Sequence, residues 1–96
     1  MTPLDAYMDA AHKLTAAKRV FACSRLALAN AEARYWGSGR AQVGSDEKIE
    51  TMLHADTALE RQYVRVSSLE LSRARSEHEV AENAYTAFRQ ASEGPR

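Results

Sequence analysis

The stretch best equipped for chemistry is Arg34-Tyr35-Trp36-Gly37-Ser38-Gly39-Arg40. Two neighbouring aromatic rings lie between two guanidinium groups and run into permissive glycine backbone. Flat rings stack on unpaired bases and arginines neutralise phosphates, so this composition suits a single-stranded nucleic acid. Lys18 and Arg25, seven residues apart, extend the basic character upstream. A plainer use of the same residues is structural. Tyr35 would then complete a helix seam, Trp36 would pack on the end of a helical hairpin, and Lys18 and Arg25 would flank a coiled coil.

Other chemistry finds no constellation. His12, His54 and His78 stand apart, with only ordinary acids such as Glu82 near His78, and are expected to be solvated. No metal site and no cofactor are expected. Cys23 has no base near it in sequence and suits a small packing thiol better than a nucleophile. Gly39 and Gly44-Ser45 have part of the spacing of a phosphate-binding loop. The lysine after the last glycine and the preceding strand are missing, so the glycines are expected to serve a turn. With no nucleophile and base in view and little core to hold them, an enzyme is not expected.

The elements that carry these residues follow from punctuation and periodicity. Three of the four glycines fall within residues 37–45, and the stretches on either side lack glycine and proline after Pro3. The expected fold class is all-α: a long helix over 3–36, a glycine-rich turn over 37–45, a short helix over 46–54, a C-terminal helix over 57–91 and a tail over 92–96. Thr2, Pro3 and Asp5 suit the cap, first position and first turn of a helix. Ser45 or Asp46 suits the cap of the second; for the third, Thr57 with Glu60 has the spacing of a capping box and Asp56 is a rival cap.

In the first helix the large residues Tyr7, Leu14, Phe21, Leu28 and Tyr35 recur every seven positions, and Ala10, Ala17, Ser24 and Ala31 follow the first four by three. That large/small seam calls for a second helix at close approach. In the third helix the apolar stripe runs through Leu59, Tyr63, Val66 and Leu69, then more weakly through Val80, Ala84 and Phe88. A chain of 96 residues buries a small fraction of its surface alone, so a partner or self-association is expected, with these seven residues as its candidate interface.

Thirteen basic and thirteen acidic residues cancel, so the strongly basic arm that coats duplex DNA is excluded. The charge is nevertheless segregated. Basic residues dominate from Lys13 to Arg40, acids from Asp46 to Glu60, and arginines again from Arg61 to Arg75. A single cysteine excludes a disulfide-stapled scaffold and favours a reducing compartment. Acid at Asp5 stands where a signal peptide needs basic residues, and no apolar run is long enough for a membrane span, so a cytoplasmic protein is expected.

Arg34-Tyr35-Trp36-Gly37-Ser38-Gly39-Arg40-Ala41, followed by Lys48-Ile49-Glu50-Thr51-Met52-Leu53-His54-Ala55-Asp56, resembles the UvsY-type recombination mediators of tailed phages across about residues 26–90. The resemblance implies an all-helical homo-oligomer assembled through C-terminal helices. It implies binding to single-stranded DNA and the loading of a RecA-like recombinase onto strands covered by single-strand-binding protein. Arg34, Tyr35, Trp36 and Arg40 would contact the strand, with Lys18 and Arg25 in support. The chain departs from the family where a basic pair should precede the aromatics, reading Asn30-Ala31-Glu32 instead.

A different class of function fits the seam and the zero net charge: a non-enzymatic helical-hairpin interaction module, such as a phage-encoded inhibitor or adaptor, that binds protein and no nucleic acid. Tyr35 and Trp36 would then be packing or hot-spot residues. Trp36-Gly37 also resembles the turn of small secretion-substrate hairpins, although Ser38 stands where their Trp-x-Gly motif needs glycine.

Overall fold

The computed structural model describes residues 1–39 and 44–93 of the chain. Three helices follow one another: α1 (Pro3–Gly37), α2 (Asp46–Asp56) and α3 (Ala58–Glu93), with no strand among the described residues. The all-α order of long, short and long helix is the expected one. Each helix runs one or two residues past its expected end, and α3 begins one residue later. Residues 40–43 of the expected turn, Arg40 among them, and 94–96 of the tail lie outside the described residues.

The helix starts use the expected caps. Thr2 Oγ1 accepts the Asp5 N–H at 3.1 Å. Ser45, with ψ of 160°, accepts the Lys48 N–H at 3.3 Å. Each such cap satisfies a donor that has no partner within the helix. At the far end of α1 the Ser38 hydroxyl donates to the Tyr35 carbonyl at 2.6 Å. Gly39 and Gly44 then take φ of 81° and 112°, the left-handed region that glycine enters without a Cβ clash.

The junction of α2 and α3 corrects one expectation. Thr57 does not form a capping box with Glu60. Its φ of −111° and ψ of 16° keep the backbone away from the extended geometry of a cap. Its hydroxyl instead donates to the Leu53 carbonyl at 2.8 Å and accepts from Arg61 Nε at 2.8 Å. The residue is fully buried. Arg61 in turn places a nitrogen 3.6 Å from the Glu32 carboxylate on α1. One threonine thus ends α2, starts α3 and ties both to α1.

The chain forms two compact units, one of Met1–Arg19 with the chain from Leu69 onward and one of Val20–Ser68. In the first, Tyr7 lies between His78 and Tyr85, with both ring centroids at 5.4 Å, and Ala10, Leu71 and Ala74 are buried. His78 is therefore a half-buried seam residue rather than the solvated histidine expected. In the second, Ala31, Tyr35, Thr57 and Ser67 are buried, and Leu28 and Val64 are half-buried.

On α1 every position of the large/small seam is buried or half-buried. From Thr57 through α3 a line of buried and half-buried positions runs Thr57, Glu60, Val64, Ser67, Leu71, Ala74, His78, Ala81 and Tyr85, alternating by three and four, with half-buried Arg61 beside it. This seam is mostly small or polar. Small residues let backbones approach, so that the large residues of α1 find room. The more apolar stripe of α3 faces away from it. Leu59, Tyr63 and Val66 are exposed in one unit, and Leu69, Val80, Ala84 and Phe88 in the other.

Thr57→Val keeps the shape of the side chain and removes both of its hydrogen bonds. It should lower unfolding free energy in urea by about 1–3 kcal/mol. Adding Arg61→Met should cost less in the Thr57→Val background than in the wild type, because Arg61 Nε has already lost its acceptor.

Candidate functional site

The expected contact residues divide. Arg34, Tyr35 and Trp36 share the last turn of α1. Arg25 lies two to three turns earlier, about 16 Å from Trp36 along the axis, with its guanidinium carbon 5.7 Å from the centre of the Phe21 ring. Lys18 is exposed and belongs to the other unit. Arg40 lies outside the described residues.

Neighbouring residues on a helix point about 100° apart, and this separates the two aromatics. Tyr35 ends the seam and is 3% exposed. Its hydroxyl donates to the Ile49 carbonyl at 3.1 Å, joining α1 to α2. A ring so enclosed presents little face to a base, and here it packs as the end of the seam. Trp36 meets Tyr35 edge to face, with centroids 5.5 Å apart, and stays 54% exposed. Edge-to-face pairing orients the indole while leaving much of its surface in water.

Two hollows adjoin these rings. One, of about 190 Å³, is lined by Ala31, Arg34, Tyr35, Ser38, Asp56 and Glu60. The other, of about 360 Å³, is lined by Trp36 and by one face of α2: Asp46, Ile49, Glu50 and Leu53. The four α2 residues are spaced i, i+3, i+4, i+7, which is one helical stripe. Its apolar members Ile49 and Leu53, with Met52 beside them, have the spacing of a short apolar helix face in the sequence. Its two acids were not connected to Trp36, because nothing local says which ring α2 covers.

Among the described residues at this end the charge is mixed rather than basic. Arg34 is the cation in the last turn of α1, a position that complements the helix dipole. Asp56 and Glu60 share its hollow, and Asp46 and Glu50 share that of Trp36. Fixed carboxylates repel phosphate, so Asp46 and Glu50 beside Trp36 oppose the chemistry that Arg34-Tyr35-Trp36 promised in isolation. The described residues contain no group of three or more His, Cys, Asp or Glu arranged to hold a metal ion. Cys23 is free and exposed, not the packed thiol expected. No described helix is long and apolar enough to cross a membrane.

Tyr35→Phe removes a half-buried hydrogen bond and should cost about 1 kcal/mol in urea unfolding. Trp36→Phe keeps an exposed aromatic edge and should change stability by less than about 0.5 kcal/mol. Equal losses at the two positions would contradict the division of labour between these rings.

No protein-family model matches this chain, and neither a curated protein nor a solved structure shows significant similarity to it.

Proposed function

We propose that the chain is a non-enzymatic helical-hairpin interaction module that acts by binding proteins in a reducing, cytoplasmic setting, beginning with a second copy of itself. The observation that carries this is the double face of α3. One stripe is covered by α1, while the other leaves Leu59, Tyr63 and Leu69 at 60%, 54% and 66% exposure. Large apolar side chains repeated along one face of a helix are the usual material of helix pairing.

Val80, Ala84 and Phe88 continue the exposed apolar positions towards the C-terminus of α3.

Sedimentation at about 100 µM, a concentration at which even weak self-association registers, should give a mass above the monomer. Leu59→Glu combined with Leu69→Glu should return the monomer mass while helical circular dichroism is retained. A monomeric wild type at that concentration would remove the proposal.

A single-stranded-DNA mediator, working with a RecA-like recombinase and single-strand-binding protein, is the second reading. Its supporting observation is the half-exposed Trp36 ring beside the exposed Arg34. The burial of Tyr35 and the acids Asp46 and Glu50 beside Trp36 weigh against it. Anisotropy of a labelled single-stranded oligonucleotide at two salt concentrations separates the alternatives. A mediator should bind at micromolar concentration or tighter, lose affinity steeply with salt and weaken on Trp36→Ala. A protein-binding module should leave the anisotropy unchanged even at low salt.

A further inference from the structure

We propose that the groove between Trp36 and α2 is a docking site for a basic amphipathic helix of another protein. The groove has an apolar floor and an acidic rim. Ile49 and Leu53, one turn apart on α2, face the half-exposed indole across about 360 Å³. That is room for an apolar anchor residue of a partner. Tryptophan in such a hollow is the residue type that most often dominates a protein interface.

The rim selects the chemistry of the occupant. Asp46 and Glu50 line the groove, and both are exposed. Asp46 has no ion-pair partner among the described residues, and Glu50 has only His54 Nε2 at 3.9 Å, a cation only when protonated. The helix dipole accounts for an acid at Asp46, in the first turn of α2. It does not account for Glu50, which lies beyond that turn. Two carboxylates flanking an apolar floor complement a helix that presents leucine-like anchors between lysines or arginines. The same carboxylates disfavour a phosphate backbone. The groove lies wholly within the unit of Val20–Ser68, and none of the exposed apolar residues of α3 lines it.

The chain contains one tryptophan, so its fluorescence reports this groove directly. The probe is a tryptophan-free amphipathic helical peptide of leucine and lysine, compared with the same pattern carrying glutamate for lysine. The leucine–lysine peptide should shift Trp36 emission saturably and bind more weakly as salt rises. By calorimetry, Trp36→Ala should weaken binding at least about tenfold, and Glu50→Lys should weaken it to a similar degree. Circular dichroism should show both variants folded.

Equal binding of the two peptides would overturn the proposal, as would no saturable binding of the lysine peptide up to about 1 mM or undiminished binding to Trp36→Ala. A lower sedimentation mass for folded Trp36→Ala would assign the groove to a second copy of this chain. An emission shift with single-stranded oligonucleotide that displaces the peptide would assign it to nucleic acid.

Discussion

A single line on α1, in which large and small side chains alternate at intervals of four and three residues, organises the packing in both units. A helix of 35 residues cannot bury such a line against itself. The chain must bring another helix to it, and the partner must be slim where α1 is bulky. Tyr7 and Tyr35, at the two ends of the line, show the outcome. Tyr7 lies between His78 and Tyr85, and Tyr35 is closed in and bonded to the Ile49 carbonyl. The small residues Ala10 and Ala31, on the same line, are buried as well.

That demand explains why α3 turns its less apolar face inward. Ser67, Ala74 and Ala81 are poor hydrophobes, but they leave space, and dispersion contact across a close-packed surface outweighs the burial of a larger but ill-fitting side chain. The Thr57 junction favours the same rotation. With its hydroxyl between the Leu53 carbonyl and Arg61 Nε, and Arg61 beside Glu32, the first turn of α3 is committed to one orientation. Leu59, Tyr63 and Leu69 are then left facing water, a cost that covering by another chain relieves.

The end of α1 obeys the same geometry at smaller scale. Adjacent positions on α1 send Tyr35 into the seam and Trp36 towards α2 and solvent. A pair that looks like one aromatic platform in sequence therefore becomes one structural ring and one available ring. The acids of α2, remote from Trp36 in sequence, line the same hollow as the indole. A local composition suited to phosphate is thereby set beside carboxylates.

Much of this was legible without coordinates. Glycine placement, the Thr2 and Ser45 caps and the seven-residue recurrence from Tyr7 to Tyr35 determined three helices, their order and the inward face of α1. Each is set by local backbone chemistry or by periodicity within one helix. The inward face of α3 was not legible, because its most apolar stripe is not the one that fits α1. Nor were the burial of His78, the bonding of Thr57 or the acids beside Trp36. Those depend on which surfaces meet, and that choice was made by shape complementarity and hydrogen bonding between segments far apart in sequence, which only the tertiary structure decided.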